Sequence, residues 1–209
     1  MNNLEILNGI NHLKRNDSSL RKVIDQSEKF NIINNKKFFE SLVDSIISQQ
    51  LSIHAADKII KRFHSFMNYS ITAKKILSSE TEELRKLGIS YAKIKYIKDL
   101  AHKKSTKQIS FRNLDNQSDE EIIAHLVTVK GIGVWTAQMF LIFTLGRLNI
   151  LPTTDLGIRK AISKLYEFDS LPTDSKISNL SHKNKWAPYN SIAAWYLWKS
   201  LDTKLDRKS

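Results

Sequence analysis

Leu126-Val127-Thr128-Val129-Lys130-Gly131-Ile132-Gly133-Val134-Trp135-Thr136-Ala137 is the most informative stretch of this 209-residue chain. It lies between two segments of helical apolar spacing. Glycines one residue apart, at 131 and 133, open backbone angles closed to other residues and admit a second backbone at close range. The amides that start the following helix point outward and suit an anion, and Lys130 adds charge beside them. The carbonyls of Val127, Val129 and Gly131 can face a monovalent cation, Na or K, that bridges to a phosphate. Ile132 is expected to anchor the loop in the core. An ordinary helix–turn–helix corner with a glycine cap would explain a bare Gly-x-Gly equally well. The full pattern, in a chain of net charge +12, favours a DNA phosphate. Lys130, Gly131, Ile132, Gly133 and Thr136 are the DNA-binding residues expected here.

Working outward, Asp155 follows 22 residues after Gly133. A helix from about Thr136 to Leu145, stopped by Gly146, fills part of that gap. Leu151-Pro152-Thr153 should be extended, because proline disfavours helix at the residue before it. That path returns Asp155 beside the hairpin. An Asp directly ahead of Leu156-Gly157-Ile158-Arg159-Lys160 is also a natural N-cap. Capping and catalysis are compatible, since a helix N-terminus orients a carboxylate and favours its ionised form.

Three further segments stand in order around this pair: Ile46-Ile47-Ser48-Gln49-Gln50-Leu51-Ser52 with Ala55-Ala56, Thr154 to Lys160, and Trp186-Ala187-Pro188-Tyr189-Asn190-Ser191 with Ala193 to Trp198. With the hairpin they resemble the helix–hairpin–helix DNA glycosylase superfamily, from about residue 38 to 201, and within it the type II DNA-3-methyladenine glycosylases. The resemblance implies an all-α fold of two lobes with a cleft between them. Residues 1–36 would pack with the C-terminal lobe. Residues 37–150 would form a central bundle that includes the hairpin 126–137, and 151–209 would carry the catalytic Asp segment and the last helices. It implies Asp155 as the catalytic carboxylate, and Trp135, Met139 and Trp198 around the base. Gln50 and Leu51 would fill the gap left by a flipped base, although either can equally be a loop residue that covers the core.

Departures from the family pattern refine the expectation. The 36 residues before Lys37 are too few for the N-terminal β-domain of some members. Trp135 stands where bifunctional relatives such as endonuclease III have the lysine of their Schiff base, so an intact strand is the expected product. Thr154 replaces a second acid. Met139 stands where a bacterial relative has a tyrosine, which leaves the range of lesions open.

The rest of the sequence fits. Six glycines, three prolines and no cysteine favour helices and exclude disulfides, thiolate zinc sites and cysteine-ligated clusters. No signal pattern and no apolar run of about 18 residues occurs, so no membrane contact is expected. A monomer is expected, in the cytoplasm (nucleoid) of a prokaryote or the nucleus of a eukaryote. Apolar spacing predicts helices from Asp17 to Phe30, from Phe38 to near Gln50, after Ser52, from Thr81 to Leu87, from Tyr91 to about Lys104, after Ser118, after Asp155, and from about Asn190 to Leu201. Of the four tryptophans, Trp186 and Trp195 are expected in the core. The histidines show no metal-ligand spacing.

The chemistry is self-consistent. An N3- or N7-alkylated purine is cationic, so it leaves neutral and needs little protonation. The sugar becomes oxocarbenium-like, as in glycoside hydrolysis. One carboxylate can stabilise that cation and orient water, and no cofactor is required. A cationic base on an aromatic face gains roughly 0.5–2 kcal/mol. The expected partner is duplex DNA containing alkylated bases. Two other readings are a non-catalytic helix–hairpin–helix DNA-binding protein, with Asp155 only a cap, and a glycosylase/lyase, which Trp135 disfavours.

Overall fold

Most of the described helices begin just after a residue whose side-chain oxygen caps their first amides. The computed structural model describes residues 3–32 and 36–202. α1 (Asn3–Asn16) is followed at once by α2 (Ser18–Gln26), whose cap Asp17 accepts the Leu20 amide at 2.9 Å. α3 (Phe38–Ser48) precedes α4 (Ile53–Phe66), capped by Ser52. Thr72 caps α5 (Ala73–Ser78), Glu80 and Glu83 box the start of α6 (Thr81–Lys86), and Ser90 caps α7 (Tyr91–Ser105). Ser118 and Glu121 form the capping box of α8 (Asp119–Leu126). α9 (Val134–Phe140) runs into a π-helical turn, Leu141–Leu145. Asp155 caps α10 (Leu156–Leu165), Thr173 caps α11 (Asp174–Lys183), and α12 (Asn190–Asp202) is last. No strand occurs among the described residues, so the fold is all-α as expected. None of the described helices is long and apolar enough to cross a membrane.

Two local expectations need correction. α2 stops at Gln26 rather than Phe30, because the chain turns there and the Ser27 amide bonds back to the Ile24 carbonyl. Leu151-Pro152-Thr153 is a turn rather than an extended return. The Thr153 amide reaches the Leu151 carbonyl and the Asp155 amide the Pro152 carbonyl, both at 3.0 Å. Arg159 Nε clamps that turn through the Thr153 carbonyl at 3.0 Å.

The chain divides into two units, one of Met1–Asn34 with Leu141–Ser209 and one of Asn35–Phe140. The boundary therefore falls at Phe140, ten residues before the expected 150. Ser191 gives the reason, because its amide bonds the Leu148 carbonyl at 2.9 Å while its hydroxyl accepts from the Ile150 amide at 2.9 Å and donates to the Arg147 carbonyl at 2.6 Å. Those bonds tie the segment after the π-turn to α12. Of the expected segments, residues 1–2, 33–35 and 203–209 lie outside the described residues.

The first unit packs α1, α2 and α10 against α12, whose Ala193 and Ala194 are fully buried. Small residues there let the neighbouring helices approach, and a Cβ on Gly9 would stand 2.6 Å from Ile192 and Tyr189. Asp17 is the polar keystone of this core. Besides its cap, Oδ2 accepts from Tyr166 Oη (2.6 Å), Trp186 Nε1 (2.7 Å) and Asn184 Nδ2 (2.9 Å). Burial and that carboxylate together hold the Tyr166 phenol far above its ordinary value. Each donor orphaned by loss of Asp17 would cost about 1–3 kcal/mol. Trp186 and Trp195 are buried here, as expected of core residues.

The second unit is built on α3, α4 and α7, with Leu42, Val43, Ile46, Phe63, Ile97 and Leu100 fully buried. Burying one such side chain contributes about 1.5–3 kcal/mol. This core fixes the two ends of α3, and each end carries a feature of interest.

Candidate active site

The hairpin is built by short backbone bonds. The Val129 amide reaches the Leu126 carbonyl at 3.0 Å, and the Ile132 amide reaches the Val129 carbonyl at 3.1 Å. Val129 and Ile132 are buried beneath it. The two glycines are required for different reasons. Gly131 has φ +83°, and a Cβ there would lie 2.2 Å from the Tyr96 ring, so the fold itself demands glycine. A Cβ on Gly133 would meet nothing within 4 Å. What that position keeps open is therefore approach from outside. The Ala137 amide bonds the Gly133 carbonyl at 3.0 Å, which joins the hairpin to the first turn of α9.

The expected DNA-contacting residues separate accordingly. Lys130 is exposed, but its amide is held by Asp99 Oδ2 at 2.9 Å. The side chains of Ile132 and Thr136 are buried, so the outer surface offers only their backbone. The three carbonyls suggested for a cation belong to this turn. Val129 already accepts the Ile132 amide, and Gly131 accepts Gln49 Nε2 at 2.8 Å. Each carbonyl oxygen retains a second lone pair. A set of neutral oxygens suits a hard monovalent ion, so the residues present fit the group.

The same unit holds the turn after α3. Lys93 Nζ caps that helix end, donating to the carbonyls of Ile47 (2.8 Å) and Gln49 (2.6 Å), and burial lowers its pKa from the usual lysine value. Gln49 reaches across to the hairpin, so the turn and the hairpin are tied directly. Gln50 then adopts φ +55°, a left-handed conformation that costs a non-glycine residue about 1 kcal/mol or more. Leu51 is partly exposed, and Ile53 two residues on is 86% exposed. Ile53 went unnoticed in the sequence because it reads as an ordinary apolar helix position. Trp135 is 43% exposed and Met139 half-buried on α9.

Asp155 stands in the first unit and is half-buried. Its Oδ1 accepts two donors, the Ile158 amide at 2.8 Å and the Trp198 indole Nε1 at 2.9 Å. The first is the N-cap bond of α10; the second comes from α12. Gly157 makes the second possible, because a Cβ there would lie 3.0 Å from both Asp155 Oδ1 and Trp198 Cδ1. The Trp198 ring lies 5.6 Å from that of Phe143, tilted by 33°, and Phe143 is 39% exposed on the π-turn. Trp198, expected only as a wall for the base, thus also orients the carboxylate. Phe143 was missed, and its one sequence signal was an aromatic residue in a run expected to be plain helix.

Histidine contributes no site here by itself. His64 Nε2 lies 2.9 Å from Asp44, and burial raises the Asp44 carboxyl above its ordinary value, while His64 opposes that rise. With Glu40 these two form the group among the described residues that could converge on a metal ion. The sequence spacing did not bring them together, because they come from two helices.

Comparison with known proteins agrees with this geometry. Residues 43–187 match the model of the HhH-GPD superfamily of base excision DNA repair proteins. The chain is 35% identical over 191 residues to DNA-3-methyladenine glycosylase 1 of Schizosaccharomyces pombe, covering 90% of this chain and 83% of that protein. Among solved structures, the Schizosaccharomyces pombe 3-methyladenine DNA glycosylase in complex with abasic DNA superposes with a TM-score of 0.83 at 32% identity, over 94% of this chain and 97% of that one. DNA-3-methyladenine glycosidase from Bacillus halodurans gives 0.80 at 32% identity, over 93% and 89%.

Proposed function

The chain belongs to the HhH-GPD superfamily of base excision DNA repair proteins, and we propose that it is a monofunctional glycosylase that releases alkylated purines such as 3-methyladenine from duplex DNA and leaves an abasic site. The observation that carries this reading is the Asp155 carboxylate, held through Oδ1 by the Ile158 amide and the Trp198 indole beside the exposed Phe143 ring. Two donors on one carboxylate oxygen hold the group in a fixed orientation. Such a group can stabilise an oxocarbenium-like sugar and orient the water that attacks it. A cationic base weakens its own glycosidic bond, so a second acid in place of Thr154 is dispensable.

In this reading the hairpin grips one strand through its backbone at Gly131 and Gly133, with Lys130 beside it. Gln50 and Leu51 occupy the space of the extruded base, whose unstacking costs a few kcal/mol, less at damaged pairs. Trp135, Met139 and Trp198 are assigned to the base through the family resemblance. A monovalent cation would be held by the carbonyls of Val127, Val129 and Gly131, where it would add positive charge near a phosphate. The enzyme acts as a monomer, and no cofactor takes part in the chemistry.

The test is incubation with methylated duplex DNA followed by chromatography of the released bases. Release of 3-methyladenine by the wild type, and not by Asp155→Asn, is expected. A folded protein that binds the DNA and releases nothing would leave only the non-catalytic DNA-binding reading.

A further inference from the structure

The end of α3 remote from the hairpin opens onto a cavity of about 740 Å³, within the size range of small-ligand sites. It lies wholly inside the second unit, and α3 separates it from the Gln49–Gly131 contact by about 15 Å. Its floor is aromatic. Phe38, Phe39 and Phe111 line it, and the rings of Phe38 and Phe111 meet at 6.4 Å.

Its charge is one-sided. Lys104 Nζ sits 3.9 Å over the Phe39 ring, and desolvation lowers its pKa from the usual lysine value. Among the described residues it makes no ion pair, and neither do Lys107 or Arg112 at the rim. Glu40 is the acid that lines the space, and Lys37 already pairs with it at 3.2 Å. Tyr69 stands at the rim, 75% exposed, with a left-handed φ of +52°.

A lone anion would need none of these rings. A purely apolar guest would leave three cations without partners over low-dielectric walls. Flat aromatic surface beside unpaired cations is the pairing that binds a base together with its phosphate. We propose that this cavity binds a nucleotide, its base against Tyr69 and Phe111 and its phosphates on Lys104, Lys107 and Arg112, at a site separate from base release. The nucleotide can be free or the terminal unit of a single strand; the chemistry recognised is the same.

Calorimetry on the full chain tests this with ATP, adenosine, pyrophosphate and a short 5′-phosphorylated oligodeoxynucleotide as probes. ATP is expected to bind at least about tenfold more tightly than adenosine or pyrophosphate, because only it fills both halves of the site. Arg112→Ala and Lys104→Gln should each weaken ATP by about tenfold or more while base release from methylated duplex stays at the wild-type rate. Arg112 is exposed, so that variant keeps the test valid should Lys104→Gln unfold the protein. Competition by the oligonucleotide would assign the site to strand ends, and its absence to free nucleotides. Pyrophosphate binding as tightly as ATP would reduce the cavity to a plain anion patch and overturn the proposal. So would ATP affinity unchanged in both variants, or weakened by Gly133→Leu instead. The ligand affinities are read independently of base release, so their failure leaves that reading standing.

Discussion

Asp155 performs two tasks with one side chain, and the two can be separated. Asparagine keeps an amide oxygen for the Ile158 amide, so Asp155→Asn should melt close to the wild type. It lacks the charge and the ability to take a proton from water, so single-turnover base release should fall by about 10²–10⁴. DNA affinity should hold or improve as a negative charge leaves a phosphate-rich surface. A folded, DNA-bound variant as fast as the wild type would reduce Asp155 to a cap. Trp198 is a positioning residue in this scheme, since its indole N–H reaches Asp155 Oδ1. Trp198→Phe retains a ring beside Phe143 and removes only the donor. Its expected signature is a fall in kcat of about tenfold, the worth of one hydrogen bond to a charged group, with KM little changed. A rise in KM with kcat intact would mean that Trp198 only contacts the base.

At the scale of elements, the hairpin divides the work of its glycines. Gly131→Ala places a Cβ 2.2 Å from Tyr96 and forces a left-handed alanine, so melting temperature should drop, with about 1–2 kcal/mol lost to the backbone alone. Gly133→Ala meets nothing within 4 Å, so its melting curve should match the wild type while DNA binding weakens for every sequence alike. Equal behaviour of the two variants would show that close approach from outside plays no part at Gly133. Sequence reading reached the caps well, because Asp17, Ser52, Ser118 and Asp155 act on amides three residues away. It could not reach partners far along the chain. Asp17 reads as a cap, yet three of its four donors come from residues 166–186. Nor could it place the left-handed Gln50, whose turn is held from outside by Lys93 and the Gly131 carbonyl, both bonded to Gln49. The π-turn at Leu141–Leu145 reads as continuous helix because its apolar residues keep nearly helical spacing. Phe143 and its contact with Trp198 were hidden by that.

At the scale of the whole molecule, the net charge of +12 and the residue at position 135 make separate predictions about DNA. The charge predicts affinity that falls with salt, with log K decreasing by about 0.9 per log unit of salt for each phosphate contacted. Affinity flat between low and high salt would contradict a grip on the backbone. Position 135 bears on the fate of the strand. A lyase needs a primary amine to attack the sugar and form the Schiff base that leads to cleavage. An indole nitrogen is not nucleophilic, and its lone pair belongs to the ring. Trp135 occupies α9 directly after the hairpin and is 43% exposed, so no lysine of that segment substitutes for it. The first product should then be an unbroken strand carrying an abasic site, nicked only after alkali or heat. The measurement is a denaturing gel of end-labelled methylated duplex, with and without alkali, beside a borohydride trapping reaction. Full-length strand before alkali and no covalent adduct are expected. A nick without alkali, together with a borohydride-trapped protein, would require an amine elsewhere in the chain to act as nucleophile and would make the enzyme bifunctional.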